Sequence, residues 1–560
     1  MENIALAFSG GGFRAAAYSL GCLEYLNKIQ FKGRPLLQYV KFISSTSGGS
    51  ITALVYGAYI YEGKSLQDVS KKLNAMFDGE KLLAKALANL DDNKAWVDRE
   101  HKSKNLINAF SLEYDAFFEK RTLGMFSNLD KNPHLEELCI NSTEFTNGYA
   151  FRFQSQNDGL PWENGRIGNH YIHFSDADGK NGIAIAKKLK LGDILASSSC
   201  FPSGFEPLIF PQDYETKELS SEELIKGLSF ETNNFSLDSN DYNNTDFLKD
   251  KSFDKKIQFG IMDGGVADNQ AIEAFMLADD RRKKNDSNSA FSLFISCDVT
   301  SYFMDGYTLP VAENKWYSNI SFNTARVLIM LIVLSVAAWV PFSIFKFRHN
   351  WQLWNSVSVA VASCFFIPVV VWFASKIFKR KSTASDGTWA LVFKKYMHVF
   401  TNMKIGRLKD LLVARAKSVF ILANDIYLKQ IRRIYYNRLY SDPDYKGRVI
   451  QNAIYDLSEA KFNPADPLKK ESYDPPEPSA AVKTIAEKAR TMGTTLWFDP
   501  NHQKQNIKEC IVATGRFTTC YNLLKFIRKT GANTAELKQL EAELMNDYAK
   551  FQVNPMWNLS

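Results

Sequence analysis

The apolar run Ile4-Ala5-Leu6-Ala7-Phe8, followed at once by Ser9-Gly10-Gly11-Gly12-Phe13-Arg14, commits the start of the chain to a strand, a glycine turn and a helix. Consecutive apolar residues closed by turn formers read as a buried strand, and Ala15 to Leu26 continues as the helix it enters. The glycines then fall at a helix N-terminus. Backbone N–H groups there lack intrahelical partners and the macrodipole favours negative charge, so the loop suits an oxyanion or a phosphate. Gly10-x-Gly12-x-x-Ala15 also fits a loose dinucleotide fingerprint, which expects an acidic residue near the end of the next strand. That strand, Tyr39 to Ser44, ends in serines, and Arg14 does not replace the Lys of a phosphate-binding Gly-Lys-Ser/Thr loop.

Ser47 lies in Ser45-Thr46-Ser47-Gly48-Gly49, between the apolar strand and a helical run from Ile51 to Ile60. A nucleophile held in a sharp strand-to-helix elbow needs small residues two before and two after it, where the backbones cross. Ser45 and Gly49 fill those positions, Ser45 replacing the usual glycine. The amide of Gly48 can join those of Gly10, Gly11 and Gly12 around a tetrahedral oxyanion, each such donor contributing roughly 3 kcal/mol. A serine nucleophile needs a base, and none of the seven histidines has a suggestive neighbourhood. The better candidate is Asp263, where the apolar strand Ile257 to Met262 ends in Asp263-Gly264-Gly265. In an open α/β sheet strand ends converge on the ligand crevice, so this carboxylate can face Ser47. Asp268 is the nearest competitor and reads as a loop or cap residue.

Taken in order, Gly10-Gly11-Gly12-Phe13-Arg14, Ser45-Thr46-Ser47-Gly48-Gly49 and Asp263-Gly264-Gly265 resemble the oxyanion, nucleophile and aspartate motifs of patatin-like phospholipases. The segment Ala196 to Pro207 resembles a fourth motif of that family. The resemblance covers roughly residues 1 to 300 and a C-terminal portion beginning after 480. It implies a three-layer α/β/α acyl hydrolase with a Ser47/Asp263 dyad, no catalytic histidine, no catalytic metal and no cofactor. Gly10, Gly11, Gly12 and Gly48 would form the oxyanion hole, with Arg14, Gly49, Gly264 and Gly265 supporting it. The implied substrate is membrane phospholipid, cleaved through a Ser47 acyl-enzyme. A thioesterase, a neutral-lipid esterase or a silent membrane scaffold are the alternatives.

The remaining chain adds expectations about location. Of 560 residues 45% are hydrophobic and 23% charged, enough for two or three domains with sizeable cores. Seven cysteines without metal-ligand spacing argue against a disulfide framework or zinc site and for a reducing compartment. No cleaved signal precedes the first strand. Val327 to Phe345 and Trp354 to Ser375 carry no charge over 19 and 22 residues, long enough for a transmembrane hairpin. Flanking cations, with Arg326, Lys376, Lys379, Arg380 and Lys381 opposing Lys346 and Arg348, then put the catalytic part on the cytoplasmic side. From Lys376 to Arg438 there are 15 Lys/Arg and 3 Asp/Glu, interleaved with aromatics, although the whole chain is only +7. Beside such a hairpin this stretch suits anionic lipid, and no nucleic acid partner is expected.

The expected organisation is a catalytic part over 1–310, a transmembrane hairpin over 325–378 and a basic helical region over 379–460. A linker and the completion of the hydrolase follow over 461–530, then a closing helix and tail over 531–560. Residues 213–256, polar and acidic, read as a mobile loop that could serve as a lid.

Overall fold

Alternation along strand β1 (Ile4–Phe8) sets both sides of the central sheet. Ile4, Leu6 and Phe8 enter one core, with helices α1 (Gly12–Lys28) and α2 (Gly48–Tyr61), while Ala5 and Ala7 enter another. A strand buried on both faces belongs to a sheet with helices on either side, the three-layer arrangement expected. The computed structural model describes the chain except residues 78, 128–133, 146–147, 157–159, 162, 203, 231–257, 301–315, 348–401, 463–470, 494–497 and 560.

The other strands of this sheet are β2 (Val40–Thr46), β3 (Glu137–Glu144), β4 (Ala150–Gln156), β5 (Leu208–Phe210), β6 (Phe259–Asp263), β7 (Leu293–Asp298) and β8 (Val449–Ala453). They run in the order β8-β7-β1-β2-β3-β6-β5, with β4 also on β3. The pairs from β8 to β3 are parallel; β4 and β6 both run antiparallel to β3, and β5 antiparallel to β6. Helix α3 (Leu191–Ser199) carries the start of the fourth motif, and helix α4 (Ile272–Asn285) with α5 (Leu428–Ser441) covers the Ala5/Ala7 face. The opposite face is completed from the C-terminus by α6 (Ala480–Thr491), α7 (Ile507–Thr530) and α8 (Ala535–Val553).

Met1–Met304 and Tyr427–Ser560 therefore form one unit, and Asp305–Ile426 a second. The return to the first unit comes earlier than the expected 461, because β8 pairs with β7 and Arg432 on α5 donates to Asp298 at 2.7 Å. Tyr436 and Leu439 of the same helix are buried, so this end of the basic stretch serves the core rather than a lipid surface. The expected loop over 213–256 is also built in its first part. Asp213 and Tyr214 are buried, Ser221–Lys226 is helical, and Leu228–Phe230 pairs with Ile172–Phe174; residues 231–257 lie outside the described residues.

The membrane assignment is overturned: among the described residues no helix is long and apolar enough to cross a membrane. A crossing needs about 20 mostly apolar residues in one helix. The helix Phe322–Phe347 carries Asn323, Thr324 and Arg326 in its first turns and Lys346 near its end. Trp354 to Ser375, the proposed second span, lies outside the described residues. The two-span anchor and the cytoplasmic orientation deduced from its flanks fall with the membrane assignment.

Candidate active site

Register along β3 brings the candidate residues together. On one edge of β3, β2 pairs with Glu137 to Asn141, ending at Thr46 opposite Asn141. On the same edge β6 comes from the other direction and ends at Asp263 opposite Ser142. Two strands thus meet end to end, with Ser47 one residue beyond the first and Asp263 last in the second. The strand ends meet through one strand parallel and one antiparallel to β3.

Ser47 is the N-cap of α2 with φ 51° and ψ −122°, a strained conformation for a non-glycine residue, worth on the order of 1–3 kcal/mol. A network beneath the elbow holds it. The Ser47 amide donates to Ser198 Oγ at 2.9 Å, and Ser198 Oγ donates to the Asn141 carbonyl at 2.7 Å. Ser50 Oγ lies 2.9 Å from Ser198 Oγ, and Asn141 Nδ2 donates to the Ser45 carbonyl at 2.9 Å. Asp263 is buried, its Oδ1 accepting the Gly265 amide at 2.7 Å and its carbonyl accepting Thr143 Oγ1 at 2.9 Å. Burial pushes its carboxyl up to about 6, against the smaller downward pull of the Ser47 hydroxyl and the Gly265 amide. Asp263 Oδ2 has no partner of full hydrogen-bond geometry, so the approach of Ser47 is long or misaligned, as in many unliganded sites.

The glycine loop closes over this pair. A Cβ on Gly48 would lie 1.9 Å from the Gly12 carbonyl oxygen, so the N-termini of α1 and α2 touch through bare backbone. Gly11 and Gly12 have φ of 142° and 59°, which glycine adopts freely. Gly10 departs from its expected part, since its amide donates to the Asn269 carbonyl at 2.8 Å. The amides of Gly11, Gly12 and Gly48 have no hydrogen-bond partner among the described residues and carry the positive ends of two helices. Gly49 packs on the Phe8 and Ser9 carbonyls, and Gly264 on that of Asn141, each too close for a side chain.

Residues 6–276 match the model of the patatin-like phospholipase family. No curated protein matches the chain. That family match supports lipid acyl hydrolase activity of the ester-cleaving kind in general. Within this patatin-like frame Arg14 does something other than brace the glycine loop. It is buried and donates to the carbonyls of Arg490 and Met492, tying the end of α6 to α1. Asp268, expected as a loop or cap residue, is buried and accepts the amides of Gln270 at 3.1 Å and Glu273 at 2.7 Å around the start of α4, whose N-cap is Ala271.

Ser198, Asn141, Thr143 and Asn269 are the positioning residues that sequence reasoning passed over. Ser198 sits inside the flagged Ala196 to Pro207 segment, which was the available signal; the other three carry no periodicity or motif. His134 is engaged elsewhere, 2.8 Å from Tyr56 Oη, and burial lowers its pKa to about 4.

Proposed function

We propose that the chain is a lipid acyl hydrolase that releases ester-linked fatty acids from glycerophospholipids, with Ser47 as nucleophile and Asp263 as its base. The end-to-end meeting of β2 and β6 against β3 carries this reading, because it sets a strained serine against a buried carboxyl. A carboxylate with pKa near 4 is a poor base at neutral pH; burial that lifts Asp263 to about 6 brings it closer to the working range. Asp263 takes the Ser47 proton as Oγ attacks the ester carbonyl. The amides of Gly11, Gly12 and Gly48 receive the oxyanion at the converging helix N-termini. The alcohol half, a lysophospholipid, leaves with the proton from Asp263. Water, deprotonated by the same carboxylate, then frees the fatty acid and restores Ser47.

Phospholipid vesicles incubated with the wild type and with Ser47→Ala, the products read by mass spectrometry, test this directly. We expect free fatty acid from the wild type and a loss of about a thousandfold or more in the variant. A fluorophosphonate probe should label the wild type on Ser47 alone. Release of fatty acid by Ser47→Ala at the wild-type rate would end the proposal.

A further inference from the structure

On the side of the sheet where β4 meets α4, a cavity of about 840 Å³ opens between Ala150–Gln154, the stretch 163–171 and the exposed flank of α4. Neither Ser47 nor Asp263 lines it, so what it binds does not depend on the proposed hydrolysis. Three buried side-chain atoms among its lining residues have no hydrogen-bond partner among the described residues: Arg152 Nε, Asn169 Nδ2 and Arg281 Nε. All three are donors. Asn169 is 2% exposed, and its Oδ1 accepts the amides of Tyr171 at 2.8 Å and Ile172 at 2.7 Å. Those bonds fix the orientation of the amide and leave the NH2 group as the unmatched end. Each arginine is steadied through Nη2 by a carboxylate, Arg152 by Glu273 and Arg281 by Glu137 at 2.8 Å, while Nε stays unmatched.

The wall is cationic beyond these groups. Arg166 and Lys284 join the two arginines, Lys283 being paired with Asp279 at 2.9 Å and Asp444 at 3.3 Å, and the acids of the lining are Glu163, Glu273 and Asp280. Glu273 is engaged by Arg152, and Asp280 accepts the Tyr445 hydroxyl at 3.0 Å. Buried donors without acceptors, in a cationic setting, match a group rich in anionic oxygens; a neutral or cationic ligand would leave them unpaired. The volume exceeds what a bare phosphate fills, and the paired rings of Tyr149 and Tyr171, 4.9 Å apart, offer a surface for an organic body.

We infer that this cavity binds a phosphate ester, its phosphoryl oxygens held by Arg152, Asn169 and Arg281. A soluble phosphorylated metabolite and a phosphorylated lipid headgroup share that chemistry. Calorimetric titration of the full-length protein with glycerol phosphate, a nucleoside diphosphate and inositol trisphosphate tests the first source. Flotation with phosphatidylcholine vesicles, with and without a phosphatidylinositol bisphosphate, tests the second. Asn169→Asp keeps the Oδ1 acceptor and exchanges the donor for a negative oxygen; Arg281→Lys keeps the charge and removes Nε. We expect the wild type to bind at least one probe and Asn169→Asp to weaken it by about tenfold or more, with melting temperature and esterase activity unchanged. Should Asn169→Asp melt early, a weakened Arg281→Lys of wild-type stability carries the same conclusion. Binding of soluble esters alone assigns a metabolite, and flotation that depends on the phosphorylated lipid assigns a headgroup. No binding of any probe by the wild type, or equal affinity in both variants, overturns the inference.

Discussion

Asp263 combines two opposed demands in one carboxyl. Burial raises its pKa from 3.8 to about 6, and only the ionised form can take a proton from Ser47. Activity, as kcat/KM on a soluble ester, should therefore climb with pH to about 6 and level off above it. Stability runs the other way. A raised native pKa means the folded state binds the proton more tightly, so that contribution is complete below about pH 4 and lost as pH rises through about 6. Asp263→Asn keeps the acceptor for the Gly265 amide but cannot ionise. It should abolish hydrolysis and, above pH 7, melt higher than the wild type by up to about 3 kcal/mol of stability, the advantage vanishing near pH 4. An equal melting difference at both pH values would count against a buried, ionising Asp263. Gly48→Ala tests the other side of the site. Its Cβ would meet the Gly12 carbonyl oxygen at 1.9 Å, so both activity and stability should fall, the latter by about 2–4 kcal/mol in a urea titration.

At the scale of elements, the helix pair α1 and α7 shows how the C-terminal part belongs to the catalytic layer. A Cβ on Gly21 would lie 2.0 Å from the Val512 carbonyl oxygen, and one on Gly515 2.3 Å from that of Tyr18. Two facing glycines let the helix backbones touch. Gly515→Ala should force them apart and lower the urea midpoint, costing about 2–3 kcal/mol, although it lies far along the chain from Ser47. Strand β8 was hidden in what read as a basic helical region because Val449-Ile450-Gln451-Asn452-Ala453 is short and half polar. Asn452 finds its partners only in the folded core, where Nδ2 donates to Thr519 Oγ1 at 2.9 Å. Asp213 misled in the same way. It reads as the start of a solvated loop, yet it is buried, accepting the amides of Ser103 and Ile209 at 2.7 Å each.

On the scale of the whole molecule, the first unit is discontinuous, its two parts separated in the chain by Asp305–Ile426. Residues 1–304 alone would expose the edge of β7 that β8 covers and the face of α1 that α7 covers. We expect that fragment to be insoluble, and 1–304 co-expressed with 427–560 to recover a soluble complex with esterase activity. A soluble, active 1–304 fragment would show that the C-terminal part is dispensable.

The elbow serine, the glycine loop, the aspartate and the layered α/β class were legible in the chain because each rests on local chemistry. Turn glycines, a strand-to-helix junction and an apolar run need only near neighbours to be recognised. Contacts between remote segments were decided by folding alone: that β6 runs antiparallel and meets β2 end to end, that Gly10 spends its amide on Asn269, and that Arg14 clamps α6. The expected membrane hairpin was overturned because, among the described residues, no helix is long and apolar enough to cross a membrane. Hydrogen-bond register and close backbone approach depend on which segments become neighbours in space, and short polar stretches announce no partner before they meet one.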